Sequence, residues 1–221
     1  VGFRTYARRV RDERLPLARR YAALRRAVGH YCPLGFHATW AYLAATACPS
    51  ADLRTDPAAM LRALDTLEAS REVRLAEVRA LADRRSMEKA AGRRTPRPVD
   101  TAFLRGLSWP GDTAPSRPGL IAAVANRHAA FQRFPFPDRT LCDDTQAQQL
   151  AGLRACLDAC ARSYLRDPGR MDRATRQVLA GTVDGIQRRL RPGNTPLNTH
   201  LLEWLCFAAL LTYAAKTSPA P

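Results

Sequence analysis

Glu203, His128 and His200 are the side chains of this sequence best set to do acid/base chemistry. Glu203 interrupts the apolar run Leu201-Leu202-Glu203-Trp204-Leu205-Cys206-Phe207. A carboxylate there needs a cation or a polar pocket, because an unpaired buried charge is very costly. His200 precedes it by three residues, about one helical turn. His128 shares a helical face with Ile121, Val124 and Phe131, an apolar slot in which burial tunes a histidine. Each residue also has a structural reading: an ion pair with one of the chain's 33 arginines for Glu203, and a core hydrogen bond to a backbone carbonyl for His128. The pair Asp143-Asp144 could join such a site, but it reads more naturally as a helix cap.

Metal and nucleophile chemistry find less. His30, Cys32 and His37 lie close in sequence, but their spacing matches no zinc pattern and no CxxC pair completes a tetrahedral set. Cys156 and Cys160 stand one turn apart among alanine and leucine, the setting of buried structural thiols. The six irregularly spaced cysteines read as reduced thiols in a reducing compartment. No nucleotide-binding loop or triad motif is present, so neither metal nor cofactor is expected.

The charge carries the partner argument. A net +15 and an isoelectric point near 10.7 attract polyanions. Only Lys89 and Lys216 are lysines, an arginine bias that, with the abundant alanine, fits a GC-rich genome such as an actinomycete's or a GC-rich virus's. Arginine's planar fork adds bidentate recognition of phosphate, sulfate and carboxylate. Three clusters stand out: Arg8, Arg9 and Arg11 with Arg19, Arg20, Arg25 and Arg26; Arg84, Arg85, Arg93, Arg94 and Arg97; and Arg188, Arg189 and Arg191. The last two fall at helix ends, where the helix dipole accounts for one or two cations but not five. They are the predicted binding residues.

The elements that position these residues are helical. Apolar residues recur at spacings of three and four, and strand alternation is nearly absent. Helices are predicted from Phe3 to Tyr31, with Pro16 opening the second of two. Another follows Gly35 on a stripe of Phe36, Trp40, Leu43 and Ala47, and ends before Pro49. A long helix runs over about 57–91, capped by Asp56-Pro57, with Met60, Leu64, Leu67, Arg71, Leu75, Val78 and Leu81 on one face. An irregular Arg/Pro/Gly-rich connection covers about 92–119, with a short helix near residues 100–107. Further helices are predicted over 119–134, from Asp143 or Asp144 to Leu165, over 171–190, and from Thr195-Pro196 onward. The stripe of the 171–190 helix is read as Met171, Ala174, Val178, Thr182, Ile186 and Leu190. A helix-turn-helix with its turn at Gly181 competes there, but the apolar period runs through the supposed turn. The final helix is apolar around most of its circumference and belongs at the centre. Its apolar stretch is too short for a membrane span of ~20 residues, and the charged N-terminus lacks the apolar core of a secretion signal.

The expectation is an all-α, single-domain bundle of seven to eight helices, cytoplasmic, or nuclear or virion-associated if viral. It binds an acidic macromolecule, foremost nucleic acid, through its arginines. One alternative is a cofactor-independent biosynthetic enzyme acting on an anionic or carrier-protein-tethered substrate through Glu203, His128 and His200. Another is a subunit of a larger assembly, meeting an acidic partner protein.

Overall fold

The computed structural model describes residues 2–47, 52–98, 100–101, 109–110, 113–167, 169–190, 192 and 195–217. Among the described residues its regular secondary structure is all helical, with no strand. Eight α-helices follow in order: α1 (Phe3–Arg11), α2 (Leu17–His30), α3 (Phe36–Ala47), α4 (Pro57–Ala90), α5 (Arg117–Arg133), α6 (Asp144–Arg166), α7 (Arg173–Gln187) and α8 (Pro196–Thr217). No helix among the described residues is long and apolar enough to cross a membrane.

Helix starts follow local chemistry. The side chains of Asp56, Ser116, Asp143 and Asp172 accept backbone N–H bonds in the first turns of α4, α5, α6 and α7, and Pro57 and Pro118 occupy first-turn positions that need no donor. Of the pair Asp143-Asp144, Asp143 is the cap, donated to by the Gln146 N–H at 2.7 Å. The long helix, at 34 residues and 1.5 Å each, extends about 50 Å. It stops at Gly92, whose φ of +84° belongs to the left-handed region. There Gly92 N–H donates to Lys89 O and Arg93 N–H to Glu88 O, the paired bonds of a Schellman ending.

Helix α8 is the axis of the bundle. It packs against α3, α5, α6 and α7, and Trp204, Phe207, Leu210 and Leu211 are completely buried. On one side α3 links it to α1, α2 and the first turns of α4; on the other lie α5, α6 and α7. The buried apolar residues form one cluster to which all eight helices contribute. The predicted face of α4 is followed only in part. Met60, Leu64, Leu67 and Leu81 are buried and Arg71 covers the ring of Phe3, but Leu75 and Val78 between them are half-exposed.

Two readings of helix faces need correction. The buried side of α7 is Leu179, Thr182, Gly185 and Ile186, while Ala174 and Val178 are exposed. The helix starts after the Asp172 cap, so Met171 is buried outside it and does not set its register. The helix is also continuous through Gly181, leaving no turn for a helix-turn-helix. In α6, Cys160 is buried but Cys156 is exposed, since one turn of helix rotates past the edge of the packed face. The predicted helix near residues 100–107 lies mostly outside the described residues.

Candidate functional site

Glu203 sits in a cleft of about 200 Å³ where α2, α3, α5, α8 and the segment before α4 meet. Its floor is Trp40, Ala44, Ala45 and Leu53, and Tyr21 and Phe134 flank it. Arg127 Nη2 donates to Glu203 Oε2 at 3.0 Å, and Arg54 Nη2 lies 3.8 Å from Oε1. Arg54 is held in turn by Tyr21, donating from Nε to the phenol oxygen at 3.4 Å and lying over the ring at 5.6 Å. This answers the need that the apolar run imposes on Glu203: it is an ion pair reaching across 76 residues. Arg133, also on the cleft wall, is exposed and has no carboxylate partner among the described residues.

The other two predicted acid/base residues go elsewhere. His128 is 8% exposed, as its apolar slot requires, and stacks on Phe207. Its Nε2 lies 2.7 Å from Asp158 Oδ1 on α6, so the partner is a carboxylate and not the backbone carbonyl expected. Desolvation works to raise the Asp158 pKa, but the His128 hydrogen bond and the charge of Arg162 outweigh it and hold the carboxyl below its ordinary range. His200 lies edge-on against Phe134, and its buried Nδ1 has no hydrogen-bond partner among the described residues. Glu203, His128 and His200 therefore share a neighbourhood but do not converge on one point.

The early histidine and cysteine group also separates. His30 stacks on Tyr6, whereas His37 meets Cys206 of α8, with 3.5 Å between Nδ1 and Sγ. Burial, followed by the charge of Glu203, pushes the Cys206 thiol up to about 12, and burial with the charge of Arg25 lowers His37. Both effects favour neutral forms, so the contact joins two uncharged groups and the thiol is no nucleophile. Among the described residues no group of three potential ligands could hold a metal.

The predicted helix-end arginines are largely engaged within the protein. Arg84 pairs with Asp100, which is 4% exposed, and Arg85 pairs with Glu88 and donates to Arg94 O at 2.9 Å. Arg97 lies 3.2 Å from Glu88 and 3.5 Å from Asp100. This network clasps the segment after Gly92 against the end of α4. Arg189 donates to Gly185 O and to Gln149 Oε1. Arg93, Arg94 and Arg188 are exposed and have no ion-pair partner among the described residues; Arg191 lies outside the described residues.

The hairpin of α1 and α2 is different. Residues 2–31 hold nine arginines against only Asp12 and Glu13, about half of the chain's net charge. Phe3, Ala7 and Val10 bury one side of α1, which forces Arg4, Arg8 and Arg9 outward. Three arginines named from sequence serve the fold instead: Arg20 is buried and its Nε donates to Val10 O at 2.8 Å, closing the end of α1, Arg11 bridges to Asp65 and Glu68 of α4, and Arg25 lies over the rings of Trp40 and Phe36 of α3 at 5.7 and 6.0 Å. Arg4, Arg8, Arg9, Arg14, Arg19 and Arg26 are exposed, and among the described residues no carboxylate pairs with them. Between the helices runs a groove of about 360 Å³ lined by Tyr6, Arg9, Leu15, Arg19 and Arg26, with no acidic side chain on its walls. Arg9 lies over the Tyr6 ring at 5.7 Å.

Sequence reasoning passed over Arg54, Arg127 and Asp158. Asp158 had a signal, a lone carboxylate in the otherwise apolar stretch Ala155-Cys156-Leu157-Asp158-Ala159-Cys160. Arg54 and Arg127 carried none, since nothing distinguishes them from 31 other arginines before the chain is folded. Comparison of the chain with protein-family models, curated proteins and solved structures found no significant match.

Proposed function

We propose that the protein binds nucleic acid through the outward face of the α1–α2 hairpin. The observation that supports this reading is the set of six exposed arginines, Arg4, Arg8, Arg9, Arg14, Arg19 and Arg26, left without carboxylate partners among the described residues on one hairpin, while Arg84, Arg85, Arg97 and Arg127 are tied into ion pairs. Unpaired guanidinium groups in close proximity repel one another, which weakens the isolated protein and favours a partner that neutralises them together. Helix dipoles account for Arg8 and Arg9 at the end of α1, but not for Arg19 in the first turn of α2, where a cation opposes the dipole. A single small anion would satisfy one or two of these groups. A strand of regularly spaced phosphates satisfies all of them, and the narrow groove with Tyr6 on its wall suits a single strand better than a duplex.

Fluorescence anisotropy of a labelled 20-nucleotide DNA, single-stranded and duplex, titrated with the full chain across a salt series, tests the proposal. Engaging six phosphates gives a slope of log affinity against log salt of about −4 for the single strand, at roughly −0.7 per contact. Single-strand binding with that slope supports the reading; failure of either DNA to bind at low salt, or binding indifferent to salt, overturns it. Preference for polyglutamate over DNA in the same assay would also overturn it, in favour of an acidic protein partner.

A further inference from the structure

Half of the six exposed arginines of the hairpin, Arg9, Arg19 and Arg26, line one groove of about 360 Å³. Arg19 and Arg26 stand seven residues apart on α2, two turns or about 10 Å along the helix. Ala22 and Ala23 lie midway between them on the same face and also line the groove, and Arg9 borders it from α1. The two alanines end at Cβ, so the space between the arginines stays open where larger side chains would close it. Leu15 and Tyr6 complete the lining with mostly apolar surface, and no carboxylate is part of it. Space and charge together do not match a length of strand interior. A cavity of roughly 150 Å³ holds benzene, so a groove about twice as large takes on the order of one nucleotide. One internal nucleotide brings one phosphodiester, a single negative charge with two free oxygens, against three guanidinium groups. A terminal phosphomonoester brings about −1.5 to −2 charges at neutral pH and three acceptor oxygens, which three arginines can share.

We propose that the α1–α2 groove receives the end of a strand, a terminal nucleotide carrying a phosphomonoester. The monoester sits among Arg9, Arg19 and Arg26 above the two alanines, and the rest of the nucleotide packs on Leu15 and Tyr6. This inference rests on the nucleic-acid reading above and adds to it which part of the strand the groove takes. The chemistry is that of the monoester, whether a 5′ or a 3′ end supplies it. On a strand without a terminal phosphate the three exposed side chains turn outward to internal diesters instead.

The probes are the single-stranded DNA above with an internal label and hydroxyls at both ends, the same strand with a 5′-phosphate, the same strand with a 3′-phosphate, and a hydroxyl-ended strand two nucleotides longer, which places the same added charge on internal diesters. Anisotropy titrations use the full chain at about 100 mM salt. At least one phosphorylated strand is expected to bind about tenfold more tightly than the hydroxyl-ended strand, the worth of a charge-assisted hydrogen bond, and the longer strand to stay within about twofold of it. The phosphate that gives the gain tells which end enters. Ala22→Leu, at an exposed position, fills the groove without changing charge and is expected to erase the gain. Arg19→Gln combined with Arg26→Gln is expected to do the same, whereas Arg14→Gln, outside the groove, weakens all strands alike and keeps it. Phosphorylated strands that bind no better than the longer strand, or a gain that survives Ala22→Leu, overturn the inference and leave the nucleic-acid reading in place. Failure of every strand to bind overturns both.

Discussion

Removing Glu203 strands Arg127, and the cost can be worked from their surroundings. The Arg127 side chain is 18% exposed and that of Glu203 26%, so the pair is mostly but not wholly withdrawn from water. Breaking a fully buried pair by deleting one partner costs about 3–5 kcal/mol. Here residual exposure lets water reach the stranded guanidinium, and loss of Arg54's second contact at 3.8 Å adds little, because that side chain is 47% exposed. Glu203→Leu should therefore destabilise the protein by about 2 kcal/mol, lowering Tm by roughly 4–8 °C for a chain of this size. Arg127→Met combined with Glu203→Leu should recover more than half of that loss, because no uncompensated charge remains. Urea unfolding followed by far-UV circular dichroism on the two single variants and the double variant yields the coupling directly. A double variant that loses the sum of the two single losses would refute the pairing, as would a Glu203→Leu protein at least as stable as the parent.

Other consequences are quicker to check. Gly92→Ala forces a Cβ onto a φ of +84° and should cost about 1 kcal/mol, seen as a Tm lower by roughly 2–4 °C. Phe207→Ala empties the centre of the bundle and should cost about 3–5 kcal/mol in urea unfolding. In the native protein a thiol reagent at pH 8 should modify exposed Cys156 while Cys206, buried and pushed up to about 12, reacts only after denaturant is added. Burial lowers the folded-state pKa of His37, so the unfolded chain takes up the proton first as pH falls below about 6.5. Stability should then decline with acid across that range, and stability-versus-pH curves of the parent and His37→Gln should differ there, the variant's being flatter.

Periodicity and punctuation made most of the fold legible. Asp56-Pro57 and Gly92 mark the two ends of the longest helix because caps and left-handed glycines act locally, without help from the rest of the chain. The all-round apolarity of α8 likewise announces its central place. Where several registers are nearly equivalent, as in α7 with its mixture of alanine, threonine and valine, the sequence cannot say which face is buried; packing against Leu153 and α8 decides that. The candidate sites were legible on one side only. Glu203 and His128 declare themselves by being polar in apolar surroundings, but their partners Arg127 and Asp158 are fixed by tertiary contacts spanning 76 and 30 residues. Charge clusters suffer most from this limit. Arg84, Arg85 and Arg97 resemble Arg9, Arg19 and Arg26 in sequence, yet Glu88 and Asp100 neutralise the first set and no carboxylate among the described residues meets the second.

That contrast between two arginine sets is also the point at which the functional account is most exposed. The direct test compares the salt dependence of single-stranded DNA binding for two charge-matched variants. One carries Arg9, Arg19 and Arg26 changed to glutamine; the other carries the same change at Arg93, Arg94 and Arg188, the exposed remainder of the helix-end clusters. The account predicts that the first variant loses about two of the roughly four units of log–log slope, with a more than tenfold drop in affinity at 100 mM salt, while the second stays within about one unit of the parent. Equal losses in both variants, or a larger loss in the second, would contradict it.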